Sequence, residues 1–274
     1  MSKKKVLFVT QEMRPYITDS DIAEIARLLP AAAQQNGMEI RVLMPRFGTI
    51  NERRHRLHEV VRLSGMNIIV DDDDYPLIIK VASLPEARMQ VYFLDNDDFF
   101  RRKAVFSSDS GDPFDDNADR MIFFCKGVIE TVKKFGWAPD IVHCHGWMTS
   151  LIPLYLKTAY KTEPLFQNSK VIYSLYEHEE APINTQEFMA KASINNLIEA
   201  DLESFKVGEG VSLDKGAIEF ADALVLGSES LGSQTAALLE DTDKPILDGK
   251  GVEDASIYLD FYQELLGEGE EVNS

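Results

Sequence analysis

The residues best suited to chemistry lie just after short apolar runs. His143-Cys144-His145-Gly146-Trp147 offers two imidazoles one residue apart, so on an extended strand both project to the same side. A neutral imidazole donates or accepts a hydrogen bond near pH 7 and would suit a sugar hydroxyl or a phosphate. The same pair could instead anchor a strand end, or contribute to a metal site with His178 and Glu179, although two histidines are an incomplete ligand set. Tyr176-Glu177-His178-Glu179-Glu180 sets one histidine among three carboxylates, which reads either as an acid/base cluster or as an exposed acidic loop. The stretch Gln11-Glu12-Met13-Arg14-Pro15-Tyr16-Ile17-Thr18-Asp19-Ser20-Asp21 contains no glycine, so it lacks the close backbone approach that a phosphate-binding turn needs. Its Asp19 and Asp21 repel an anion but suit a helix N-terminus, with Ser20 as the cap. The run Asp71-Asp72-Asp73-Asp74 is a cation cluster or, more plainly, a solvated turn. No Gly-x-Ser-x-Gly elbow supplies a serine nucleophile.

These residues have to be positioned by a scaffold, and its pattern is alternation. β-Branched apolar runs at 6–10, 39–44, 141–143, 170–176 and 223–227 alternate with helical patterns at 22–36, 118–135, 149–160, 214–220, 230–239 and 254–266. The first helix stops at Gly37. Short strands at 68–70, 77–81 and 89–94 read as a meander inserted in that order, and a helix over 187–200 is expected in the least regular stretch. The fold class expected is α/β, Rossmann-like and doubly wound, with a mainly parallel sheet and helices on both faces. In such a sheet ligands sit beyond the carboxyl ends of the strands. Four places therefore matter: 11–21, 143–147, 176–180, and Ser228-Glu229-Ser230.

Composition bounds the function. The chain has 274 residues, 45% hydrophobic and 27% charged, which excludes wholesale disorder and fibrous repeats. Its 46 acidic and 28 basic residues give a formal charge of −18, so no nucleic-acid or anionic-membrane surface is expected. Cys125 and Cys144 are too few for a disulfide framework and suit a reducing, cytoplasmic setting. The run Val6-Leu7-Phe8-Val9 is too short for a signal-peptide core, and no apolar stretch is long enough to span a bilayer. The expected arrangement is a single domain over 1–274, with an acidic tail, 267–274, frayed at the end.

Several stretches together resemble the bacterial glycogen synthase and plant starch synthase group, retaining glucosyltransferases of the GT-B fold (glycosyltransferase family 5 type). Lys5-Val6-Leu7-Phe8-Val9-Thr10-Gln11-Glu12 through Pro15 is similar to the family's opening strand and loop. Leu29-Pro30, Gly37 and Arg41-Val42-Leu43-Met44-Pro45-Arg46-Phe47-Gly48 resemble the family's next stretch, which reads Val-Pro-Arg-Tyr-Gly at its end. Asp116-Asn117-Ala118-Asp119-Arg120-Met121-Ile122-Phe123-Phe124 is similar to Asp-Asn-x-x-Arg-Phe-x-x-Phe, and Pro139-Asp140-Ile141-Val142-His143-Cys144-His145-Gly146-Trp147 to Pro-Asp-Val-Val-His-x-His-Asp-Trp. Lys215-Gly216-Ala217-Ile218 through Ala221-Asp222 resembles a later element, so the likeness covers roughly 4–230. Three departures stand out. Thr18-Asp19-Ser20-Asp21-Ile22-Ala23-Glu24 occupies the place of the family's Lys-Thr-Gly-Gly-Leu-Ala-Asp, Gly146 replaces its Asp, and Ser174-Leu175-Tyr176-Glu177 replaces Thr-Ile-His-Asn.

The resemblance implies a place in α-glucan metabolism. An active chain would be a hexosyltransferase passing glucose from ADP-glucose or UDP-glucose to a 1,4-α-glucan such as glycogen, with no cofactor. His145 would be catalytic, near the donor sugar, and His143 and Trp147 would contact substrate. The family's second domain supplies most nucleotide-binding residues, and no counterpart comes after Ser230 here. The expectation is that this domain is lost and that 254–266 is its returning helix, carrying Ile257, Tyr258, Phe261, Tyr262 and Leu265 on one face. Two other roles are open: a catalytically silent glucan-binding or regulatory protein, or a subunit whose site a second protein completes.

Overall fold

A computed structural model describes residues 3–18, 20–84, 87–178, 183–194, 197, 199–251 and 254–267. Asp19, Glu179, Glu180 and the acidic tail beyond Gly267 lie outside the described residues.

The strands, in chain order, are β1 (Lys5–Thr10), β2 (Glu39–Pro45), β3 (His58–Glu59), β4 (Met66–Val70), β5 (Asp73–Leu84), β6 (Met89–Asp95), β7 (Ile141–His145) and β8 (Lys170–Leu175). They continue as β9 (Lys206–Val207), β10 (Gly210–Val211), β11 (Ala223–Leu226) and β12 (Ile246–Asp248). The helices are α1 (Asp21–Gln35), α2 (Glu52–His55), α3 (Asp97–Phe100), α4 (Asn117–Phe135), α5 (Leu151–Lys157), α6 (Thr185–Ala192), α7 (Glu199–Leu202), α8 (Leu213–Phe220), α9 (Ser233–Glu240) and α10 (Ser256–Leu265).

One sheet carries ten of the strands in the order β12-β11-β8-β7-β1-β2-β6-β5-β3, with β4 paired to β5. From β12 to β6 every pairing is parallel. Strands β1, β7 and β8 are buried nearly end to end, which is why β1 and β8 read as near-continuous apolar runs, while β7 keeps two buried histidines among its apolar residues. Successive strands run outward from β1 in opposite directions, β2 on one side and β7 on the other. Their carboxyl ends therefore diverge and leave a crevice at the point where strand order reverses.

Local signals explain the helix boundaries. The Ser20 hydroxyl accepts from the Ala23 amide at 3.1 Å, the expected cap of α1. Helix α4 stops at Gly136, whose φ of 59° is left-handed.

The structure corrects several sequence expectations. The strands after Pro45 form the expected meander, β4, β5 and β6 pairing antiparallel in turn, but it is continuous with the main sheet because β6 pairs in parallel with β2. The helix expected over 187–200 breaks after Ala192, where Ser193 is extended and the Lys126 ammonium donates to the carbonyls of Lys191 and Ser193. The helix expected over 149–160 is shorter, a 3-10 turn (Trp147–Thr149) followed by α5. Helix α10 packs against the rest of the fold through only part of the expected face. Phe261 and Tyr262 are buried while Ile257 is 36% exposed, because the stripe that packs runs through Tyr258, Phe261 and Tyr262, anchored by the Tyr262 hydroxyl against His143. Among the described residues no helix is long and apolar enough to cross a membrane.

Candidate functional site

A cleft of about 1110 Å³ opens at the strand-order reversal. All four post-strand places contribute to it: Gln11, Glu12, Ser20 and Asp21 after β1, Gly146 and Trp147 after β7, Tyr176, Glu177 and His178 after β8, and Ser228-Glu229-Ser230 after β11. The loops after β8 and β11 are tied together. The Glu177 amide donates to Ser228 Oγ at 3.0 Å, and the Ser230 hydroxyl donates to Glu177 Oε2 at 2.7 Å.

The two histidines of β7 project to one side, as their spacing requires, and their rings stack at 4.0 Å between centroids. Both are fully buried. His143 is satisfied at both nitrogens, Nδ1 lying 2.6 Å from the Tyr262 hydroxyl and Nε2 2.7 Å from Ser174 Oγ. One hydroxyl must donate and the other accept, since a neutral imidazole has one role at each nitrogen. His145 Nδ1 pairs with the Tyr176 hydroxyl at 3.0 Å, and its Nε2 has no partner among the described residues. Burial holds the His145 pKa down to about 3, and burial followed by repulsion from His145 pushes His143 well below the ordinary histidine value. Both are neutral at pH 7. Trp147, by contrast, is half-exposed at the cleft, with its ring 5.0 Å from Phe106.

Charge distinguishes the cleft. Among the described residues eight carboxylates line it, including Glu12, Asp21, Asp119, Glu177 and Glu229, and the single lysine, Lys191, is held by Asp119 at 2.9 Å. Two further walls went unread in the sequence. The loop over 101–116 brings in Phe106, Phe114 and Asp115, and helix α6 brings in Asn184, Glu187 and Lys191. The loop is held by Arg120, a fully buried side chain whose Nε donates to Phe99 O at 2.8 Å and whose Nη1 donates to Val105 O and Asn117 Oδ1 at 2.7 Å each. Phe47, Phe100 and Phe114 surround the guanidinium. The sequence signal that could have marked the loop is its pair of aromatics within a polar stretch.

Gly146 has φ 84° and ψ 165°, a region open to glycine and almost nothing else. A Cβ there would lie 2.4 Å from Gln11 Oε1. Gln11 has little freedom to retreat, because its Oε1 accepts from the Met148 amide at 3.2 Å and its Nε2 donates to Glu12 at 3.0 Å. Gly146→Asp should therefore destabilise the fold by about 3 kcal/mol. In urea unfolding, adding Gln11→Ser should restore only the steric share of that loss, the backbone share remaining; a single variant as stable as the parent would contradict this reading of the turn.

The topology and the crevice define a Rossmann-like α/β protein with a cleft at the strand-order reversal, where sheets of this kind take their ligands. The family model for the starch synthase catalytic domain matches residues 5–236, and the chain belongs to that family. It is 33% identical to the glycogen synthase of Chlorobium limicola over 241 residues, 87% of this chain and 48% of that protein. It is 40% identical to the glycogen synthase of Chlorobium phaeobacteroides over 173 residues, 63% of this chain and 35% of that protein. Among solved structures, the catalytic domain of starch synthase IV from Arabidopsis thaliana, bound to ADP and acarbose, superposes with a TM-score of 0.68 at 18% identity. That superposition covers 82% of this chain and 45% of the other, and it establishes the shared fold. The chain spans about half the length of the curated relatives it matches.

Proposed function

We propose that the cleft holds an α-glucan and that this chain does not itself transfer glucose from a nucleotide sugar. The observation that carries this is the charge of the lining: among the described residues eight carboxylates face the cleft and its one lysine is already paired. A diphosphate would enter a field of its own sign. The loop before α1 offers it no glycine turn, and the Ser20 hydroxyl already takes the Ala23 amide. A neutral sugar polymer meets the same groups favourably. Carboxylates accept from sugar hydroxyls, and the faces of Trp147 and Tyr176 pack against the apolar side of a pyranose ring. Family membership supplies the ligand class. The competing reading, glucosyl transfer from ADP-glucose or UDP-glucose with His145 beside the donor, is favoured by the retention of that histidine.

One experiment separates the two. The purified chain is incubated with glycogen and radiolabelled ADP-glucose or UDP-glucose, scoring glucan incorporation, nucleotide release and retention on glycogen. Retention without incorporation is expected, with Trp147→Ala weakening retention about tenfold, the loss of one aromatic contact. Incorporation that His145→Ala abolishes would establish transfer instead, and failure to be retained would remove the glucan.

A further inference from the structure

His145 lies at the switch point yet is out of the cleft's reach. The imidazole is fully buried and is not part of the lining, whereas Tyr176, 6% exposed, is. The tyrosine hydroxyl is 3.0 Å from His145 Nδ1, and the two rings are 6.3 Å apart. A built seat holds that ring: a Cβ at Gly227 would come within 2.3 Å of Tyr176 Cε1, so only the bare backbone of residue 227 leaves room. On the other flank the Gln11 side chain fills the space beside Gly146, and His143 covers one face of His145. Nε2 is thus left without a partner among the described residues, an unusual condition for a buried polar atom.

From this arrangement we infer that Tyr176 is the floor of the cleft and the residue that sets its depth, holding the His145 imidazole away from any ligand above it. A sugar entering the cleft meets the Tyr176 and Trp147 rings and the surrounding carboxylates, while the imidazole of His145 stays beneath the floor. The inference does not depend on the glucan reading, because it concerns what separates two side chains of this chain. The hydroxyl of Tyr176 stays protonated, burial raising its pKa well above the usual value, so the floor is uncharged at any ordinary pH. Among the described residues, the ionisable side chains in contact with His145 are His143 and Tyr176.

The test reads the histidine directly, by carbethoxylation with diethyl pyrocarbonate followed by mass spectrometry and by NMR titration of the imidazole carbon. In the parent protein His145 should react at least tenfold more slowly than exposed His58, and its NMR signal should stay fixed when maltotetraose is added. Tyr176→Ser should open the floor, bringing reactivity toward that of His58 and raising the His145 pKa from about 3 toward 6.5. Tyr176→Phe keeps the ring and loses only the hydroxyl, so His145 should remain protected. Gly227→Ala displaces the ring without removing it and should act like Tyr176→Ser. A parent His145 that reacts as fast as His58 or responds to maltotetraose would overturn the inference. So would protection that persists in both opening variants. Loss of glycogen retention would sink the glucan proposal and leave this one standing.

Discussion

Arg120→Met is expected to cost about 4 kcal/mol, among the largest single-residue losses available in this fold. Methionine approximates the volume of the stem and restores none of the three hydrogen bonds. The carbonyls of Phe99 and Val105 and the Asn117 amide oxygen would then be left without the guanidinium that satisfies them. Each buried acceptor so abandoned costs about 1–3 kcal/mol. The usual escape for a buried charge, replacing both partners by apolar groups, is closed here because two of the acceptors belong to the main chain. Burial lowers the Arg120 pKa to about 10, so the guanidinium remains charged at pH 7 and its hydrogen bonds stay charge-assisted. The expected signature is a lower urea midpoint, together with faster amide exchange over 101–116 than over β1 or β7. Arg120→Lys should fall between the two. A methionine variant within 1 kcal/mol of the parent, with that loop still protected, would show that the aromatic surroundings alone hold the wall.

The second large effect is acid sensitivity. His143 and His145 are neutral in the fold, with pKa values depressed by burial, and each titrates near 6.5 once the chain unfolds. Below pH 6.5 the unfolded chain therefore binds protons that the folded chain refuses. Stability is full above that pH and falls as the pH drops, for His145 until about pH 3. Between pH 7 and pH 5 His145 alone should remove about 2 kcal/mol, and His143 adds to the loss in the same direction. Urea unfolding at half-unit steps would show the slope, and His145→Asn should flatten it by up to one proton. An unchanged slope in that variant would show that His145 is not a source of the sensitivity.

Parts of this architecture are plain in the sequence. Strands β1 and β8 are buried on both faces, and such strands read as near-continuous β-branched or aromatic runs. The four post-strand places could be named as cleft-forming before any coordinates, because a parallel sheet puts its ligand there whatever the residues are. Strand β12 could not: Ile246-Leu247-Asp248 is three residues at a half-exposed edge, too short for any period to show. The break after Ala192 depends on an ammonium from α4 reaching backbone carbonyls, and such acceptors carry no sequence signature. The seat of Tyr176 is hidden for a similar reason, since it rests on the missing side chain of Gly227, which belongs to another strand end. Burial of His145 is likewise a property of its neighbours. The spacing of the two histidines shows that they share a side, not that a tyrosine from the adjacent strand closes it off.

The interlock of Gln11 with Gly146 also couples the two positions to each other. A side chain at position 146 cannot be accommodated by one substitution, because the glutamine occupies its volume and the backbone holds a conformation reserved for glycine. Trimming Gln11 first would forfeit its hydrogen bonds to Met148 and Glu12 with nothing gained in exchange. Either change alone lowers stability, and the second restores only the steric share of the loss. The pair therefore works as a two-key lock: the backbone at 146 and the glutamine's volume each refuse a side chain there, so neither residue can be exchanged alone without loss.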